Sequence, residues 1–265
     1  MRRFPDWLLY GLIAGGLWLY ARIESDGVAA PPPPTHRLGE LLPAQSPRDE
    51  RILVDVAEPE SGVGTAFAVD RRGTWITARH VVDGCDDVAL RAGPFQGVLA
   101  DRVRIDPEAD LAVIDTEWNR TPLPSDIVSP KFRGQRGYFF GFPQGRPGEV
   151  SGALMGRAFL RVRGRYQTEE PVFAWSETGR TRGLRGSLGG LSGAPALDAD
   201  GEVIGVVAAE SPRRGRIFTV APVSLRDVFV DPRGAAEPIG ERAYGTRADE
   251  LRRERRVVQV ICGVD

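Results

Sequence analysis

Lysine is all but missing from this chain: Lys131 is the only one in 265 residues, and the remaining positive charge is arginine. The 35 basic residues nearly cancel the 36 acidic ones, leaving a formal charge of -1. No overall field therefore draws the chain to nucleic acid or to an anionic surface, and no nucleic-acid partner is expected. Histidine occurs only at His36 and His80, neither in an H-E-x-x-H or similar ligand spacing. Cysteine occurs only at Cys85 and Cys262, far apart and without a C-x-x-C pair. These shortages exclude a structural zinc, a thioredoxin-type site and, more broadly, a metal centre; no cofactor is expected. One disulfide outside the cytosol stays open to the two cysteines. Also lacking, beyond about residue 48, is any regular alternation of strands with long helical periods, which argues against an α/β sheet.

What is present begins with Trp7 to Ala21, WLLYGLIAGGLWLYA, an uncharged apolar run behind a six-residue start carrying Arg2 and Arg3. As a helix it would reach about 22 Å, short of the roughly 30 Å hydrocarbon layer but workable with aromatic residues at both ends. The arginines predict a cytoplasmic segment over residues 1–6 and export of the chain beyond the apolar run. A cleaved signal peptide with a site at Val28-Ala29-Ala30 competes, but that site lies far from the apolar run and Pro31 comes directly after it. The expectation is an uncleaved transmembrane anchor over 7–21. Residues 22–47, with Pro31 to Pro34, then read as an extended proline-rich linker. His36 lies in that linker with nothing to orient it, so it is set aside as a catalyst.

From residue 48 to 232 short β-type runs alternate with turn residues, for example Gly64–Val69, Thr74–Thr77, Leu111–Ile114, Tyr138–Phe142 and Val203–Val207. This spacing predicts an all-β fold, and the polar segment near Asn119 to Pro130 divides it into two barrels, over about 48–120 and 130–232. Residues 233–265 read as a C-terminal tail with a short helix near Thr246–Arg256 and an apolar end, Val257 to Cys262.

The stretch Gly189-Gly190-Leu191-Ser192-Gly193-Ala194-Pro195 is ordinary turn composition by itself. A serine hydroxyl becomes a nucleophile only beside a base whose tautomer is fixed by a third group. His80, at the end of the Thr74–Ala78 strand, is the only histidine of the folded region. Asp110 heads the apolar run Leu111–Ile114, where a charge needs a partner; Asp101 and Asp106 are nearby rivals. Chain order discriminates among hydrolase architectures. No histidine lies beyond Ser192, which removes the α/β-hydrolase elbow, and an Asp-His-Ser order through Asp55 or Asp70 would need helices the pattern lacks. The surviving order is His80, Asp110, Ser192.

With Gly62–Phe67, Thr77–Val82, Asp110–Ile114, Gly141-Phe142-Pro143 and Gly190–Pro195 in this order, the chain resembles the trypsin-like serine proteases over about residues 50 to 225. Val150–Leu154 and Phe218–Pro222 resemble the bacterial HtrA/Deg branch in particular. The resemblance implies two antiparallel six-stranded β-barrels, His80 as general base, Asp110 as its orienter, and Ser192 as the nucleophile of an acyl-enzyme. It makes the N–H groups of Gly190 and Ser192 the oxyanion hole. The substrate pocket would be lined by Arg185, Gly186, Ser187, Leu188 and Gly189 and by Ala208, Ala209, Glu210 and Ser211. With no aspartate there, a small or aliphatic substrate side chain is expected.

Leu191 and Ala194 depart from the G-D-S-G-G and G-N-S-G-G patterns of the family, so activation by a newly cut N-terminus is not expected. The tail is too short for the PDZ domain that HtrA relatives commonly append. A Cys85–Cys262 bond would tie the tail beside the loop after His80. Many relatives form trimers, but nothing in the sequence supports an oligomer here. The reading is thus a serine endopeptidase acting on proteins or peptides, held by a single-pass helix in a bacterial inner membrane and facing the periplasm or the outside. A catalytically silent scaffold that binds peptides on the same fold, or an esterase, are the alternatives.

Overall fold

The computed structural model describes residues 39–229 and 236–265, all within one compact unit of the chain. The apolar run 7–21, the linker and His36 lie outside the described residues. Among the described residues no helix is long and apolar enough to cross a membrane.

The first half of the chain supplies β1 (Glu50–Val56), β2 (Gly62–Ala68), β3 (Thr74–Thr77), α1 (Arg79–Val82), β4 (Asp87–Gly93), β5 (Gln96–Leu99), β6 (Arg102–Ile105) and β7 (Ala112–Asp115). The second supplies β8 (Arg136–Gly141), β9 (Gly148–Gly164), β10 (Thr168–Arg180), β11 (Pro195–Leu197), β12 (Val203–Ser211), β13 (Arg216–Val220), α2 (Tyr244–Arg253) and β14 (Val257–Gly263). The fold is mostly β, in two seven-stranded sheets. One runs β5-β4-β14-β2-β3-β7-β6; the other runs β1-β9-β10-β13-β12-β11-β8 and closes into a ring through β8 and β9.

The ring has the six strands expected, β8 to β13, and carries β1 as a seventh outside it, while the other sheet has seven and, among the described residues, is not closed; the sheets divide the chain differently from the boundaries 48–120 and 130–232. The two ends exchange sides. β1 leaves the first sheet and pairs in parallel with β9, from Glu50 opposite Ala158 to Val56 opposite Gly164. Its alternation explains this: Ile52, Val54 and Val56 face inward and pack against the core that contains Ala158, Leu160 and Val162. The tail is not an appendage either. β14 lies between β2 and β4 and bonds to both, and Val257, Val258, Val260 and Cys262 are buried. A sequence such as VVQVIC has the β-branched content of an interior strand, but nothing in it names the distant partner.

Two aromatic residues fill the sheets' interiors. Trp75 is buried against Trp118 with its indole N–H on Thr116 Oγ1, and Trp175 is packed against Phe139 and Phe173 with its N–H on Thr219 Oγ1. Each ring thus buries a large apolar surface without orphaning its one donor. The cores fix the strand ends from which the residues of interest project.

Candidate active site

His80 sits in α1, a single turn that begins two residues after β3 ends. Asp110 precedes β7, the neighbour of β3 in the sheet, and the β3–β7 register ending at Thr77 opposite Ala112 brings the two together. Asp110 Oδ2 lies 2.7 Å from His80 Nδ1, and Oδ1 accepts the His80 backbone N–H at 2.9 Å. The carboxylate is 2% exposed, so its charge is held by these donors and not by water. With Nδ1–H committed to Asp110, the other ring nitrogen is the free acceptor. Burial opposes charging of the imidazole, but the Asp110 carboxylate outweighs it through its charge and hydrogen bond, and the histidine is held above its ordinary value; the Arg165 cation pulls slightly the other way.

Ser192 comes from the second sheet, in the loop leading to β11. Together with His80 and Asp110 it lines one cleft of about 350 Å³. Among the described residues the serine hydroxyl makes no hydrogen bond to the His80 ring. Leu188 N–H bonds to Glu210 Oε1 and Gly189 N–H to Ser187 Oγ. Those of Leu191, Gly193 and Ala194 go to the carbonyls of Leu188, Val207 and Leu191. Among the described residues only the N–H groups of Gly190 and Ser192 in this stretch have no acceptor, which leaves two backbone donors beside one hydroxyl.

Gly190 has φ +92°, a left-handed conformation. A side chain there would meet the Phe142 carbonyl oxygen at 2.5 Å. The conformation is held from outside by Thr65 of β2, which lies within the Gly62–Phe67 motif but has no role assigned by it. Its hydroxyl donates to Gly190 O at 2.7 Å and accepts the Phe142 N–H at 3.1 Å, while its own N–H reaches Ser192 O at 2.9 Å. A buried threonine on an otherwise small, apolar strand was the signal. Gln144 adds a second clamp: its side-chain amide donates to the carbonyls of Arg185 and Ser187 at 2.6 and 2.8 Å.

The two departures in the loop have plain explanations. Leu191 is buried in the second sheet's core beside Phe139, Val150 and Ala194. Ala194 is also buried and lies outside the positive-φ region, which falls instead on Gly190 and Gly193.

Behind Ser192 is a narrow recess of about 30 Å³. Of the expected lining, Leu188, Gly189, Ala209 and Glu210 face it, joined by Leu191, Val207 and Ile217. Ala208 lines the larger cleft instead, whereas Arg185, Gly186, Ser187 and Ser211 line neither. Ile217, on β13, is the register partner of Glu210 and so reaches the same recess. The structure also joins Cys85 to Cys262, with Cα atoms 5.5 Å apart. A larger surface cavity of about 600 Å³, walled by Asp70, Arg71, Arg72 and Arg104 among others, includes none of these residues.

Two β-sheets that together present a histidine paired to a buried aspartate and a serine across one cleft have the arrangement of the trypsin-like fold. The chain belongs to the trypsin-like peptidase domain family, whose model matches residues 64–206. It is 27% identical to the serine protease Rv3671c of Mycobacterium tuberculosis over 84% of this chain and 52% of that one. The chloroplastic Protease Do-like 1 of Arabidopsis thaliana is also 27% identical, over 60% of this chain and 36% of the relative. A probable periplasmic DegP-like serine endoprotease of Marinomonas is 26% identical over 61% and 32%. The chain thus spans between about a third and half the length of these relatives. In fold it is similar to the active-form crystal structure of the Rv3671c protease, with a TM-score of 0.51, 18% identity and coverage of 81% and 97% of the two chains.

Proposed function

We propose that this protein is a serine endopeptidase in which Ser192, His80 and Asp110 form a catalytic triad. The observation that carries the reading is the buried His80–Asp110 pair sharing one cleft with Ser192 beside two N–H groups that, among the described residues, have no other acceptor. His80, its tautomer set by Asp110, takes the proton of the Ser192 hydroxyl as the oxygen attacks the scissile carbonyl. The Gly190 and Ser192 N–H groups receive the developing oxyanion, an arrangement that costs no rearrangement at the moment of reaction. His80 then returns the proton to the leaving amine, and water repeats the sequence to release the acyl-enzyme.

The recess of about 30 Å³ favours a small aliphatic side chain before the scissile bond. Tethering by residues 7–21, with the peptidase domain in the periplasm or outside, is part of the same proposal and rests on the apolar run and its flanking arginines. A fluorophosphonate probe tests the central point. It should label the wild type and not Ser192→Ala; absence of labelling in folded wild type would favour a peptide-binding scaffold, and labelling with ester but no peptide turnover would favour an esterase.

A further inference from the structure

The carboxylate of Asp110 is held by more than the histidine. Tyr166, in the turn between β9 and β10, brings its hydroxyl to 3.3 Å from Asp110 Oδ1. Glu170 on β10 accepts the Asp110 backbone N–H at 2.7 Å through Oε1 and is itself 2% exposed, with Oε2 buried and unpartnered. Both come from the second sheet, whereas His80 and Asp110 belong to the first. We propose that Tyr166 and Glu170 are positioning residues for Asp110, so that the second sheet completes the acid–base pair of the first. This rests on the reading of His80 as the general base.

The construction around Tyr166 supports the assignment. The Arg79 guanidinium lies over its ring at 3.7 Å and is itself fixed by Asp83 Oδ2 at 2.8 Å and the Asp106 carbonyl at 3.2 Å. The turn is anchored at its base, where Arg165 N–H donates to Val56 O of β1 at 3.2 Å, and Gly164, at φ +101°, has no room for a side chain against that carbonyl. The ring is thus stacked on one side, and its hydroxyl is aimed at the carboxylate. Burial, then the Asp110 charge, hold the phenol well above its ordinary ionisation range, so it is a donor at every working pH. Burial and the same charge push the Glu170 carboxyl well up. Its Oε1 serves Asp110 as an acceptor, and a second charge beside the Asp110 carboxylate would be costly.

The two residues act on His80 through Asp110. A donor on the carboxylate draws off part of its charge, so losing it leaves more for the imidazolium and raises the histidine's titration midpoint. At 3.3 Å the Tyr166 bond is longer than a strong O–H···O bond, and the expected shift is about 0.3–0.5 pH unit. The other charged groups are Arg165 beside the imidazole, Arg79 and Asp83 beside Tyr166, Asp106 beside Glu170, and Asp55, Glu58 and Glu210 at the cleft wall; none is altered in the test.

The test uses the full chain with His36→Ala, which leaves His80 the only histidine and its ring proton resonances directly titratable by NMR, with no substrate required. Tyr166→Phe should raise the midpoint by about 0.3–0.5 unit, and in kinetics should lower kcat severalfold with KM unchanged and move the acid limb by the same amount. Glu170→Gln, which keeps the carbonyl acceptor, should leave the midpoint within about 0.2 unit, while Glu170→Leu should broaden or shift it. A Tyr166→Phe midpoint equal to wild type would overturn the role of Tyr166, and a large fall in Glu170→Gln would overturn that of Glu170 as a positioning acceptor. Failure of the endopeptidase reading would show separately, as wild type that titrates normally but takes no fluorophosphonate.

Discussion

Replacing Gly190 with alanine should disable the site while leaving the fold standing. At φ +92° an L-residue pays about 1–2 kcal/mol for the left-handed backbone alone. The new methyl would also lie 2.5 Å from the Phe142 oxygen. That oxygen cannot simply withdraw, because it accepts the Gly145 N–H at 2.9 Å and closes the turn after β8. The least costly release is rotation of residue 190 to negative φ, which takes its carbonyl off Thr65 Oγ1 and turns its N–H away from the cleft. Losing one of two oxyanion donors costs about 10²–10³ in kcat. Gly190 itself puts no side chain into either core, and its buried neighbours Leu188 and Leu191 keep their places, so the melting temperature should fall by only about 3–6 °C for roughly 1–2 kcal/mol. Thermal melts, fluorophosphonate labelling rates and steady-state peptide hydrolysis measure the two effects separately, and His80, which is not among the nearest groups the methyl would meet, should titrate as before. A folded Gly190→Ala protein with kcat within about threefold of wild type would refute the assignment of that N–H.

Thr65→Val keeps the shape but removes the bonds to Gly190 O and Phe142 N–H, so stability should drop by about 2 kcal/mol and kcat/KM roughly tenfold, read by denaturant melts and kinetics. Cys85 and Cys262 are 177 residues apart in sequence, and their bond fastens β14; Cys262→Ala should cost about 3 kcal/mol and lower the melting temperature by about 6–12 °C by calorimetry. The acid limb of kcat/KM should lie above about pH 6.5, since burial is outweighed by Asp110 and the His80 value is raised, and Arg165→Gln should move it higher still. The sign for stability is opposite: the pair's contribution is complete below the unfolded histidine value and fades as pH rises through the folded one, where activity appears. Finally, Asp55, Glu58 and Glu210 line the cleft and, among the described residues, no arginine or lysine does; peptides with arginine before a small residue should be hydrolysed faster than glutamate counterparts, by a margin that shrinks with salt.

The site was legible in sequence wherever one residue type was scarce. With one histidine in the folded region, His80 had no rival as a base, and the order of His80, Asp110 and Ser192 then restricted the architecture. The pocket was legible only in part, because its walls alternate along strands: Val207 and Ile217 face the recess from positions that look like ordinary core. Tyr166 and Glu170 gave no signal at all. Their function depends on a turn of the second sheet reaching an aspartate of the first, a distance of 56 and 60 residues in sequence. Strand existence was likewise readable from composition, whereas the partner of β1 or β14 is a tertiary outcome that propensity does not encode.

Those two strands bear on the chemistry more than their terminal positions suggest. β14 bonds along β2 from Phe67 to Gly62, and Gln259 pairs with Thr65, whose hydroxyl holds the Gly190 carbonyl. β1 bonds along β9 as far as Gly164 and supplies the Val56 carbonyl that anchors the turn carrying Tyr166. One end of the described chain therefore stiffens the strand behind the oxyanion donors, and the other stiffens the turn behind the histidine's orienter. Loosening either strand should damage a different half of the reaction: a substitution such as Val260→Asp should weaken oxyanion binding and labelling rate first, whereas Val54→Asp should first shift the titration of His80. Kinetics and NMR titration on folded variants separate the two; equal effects of both substitutions on both readouts would mean that the strands support the site only through overall stability.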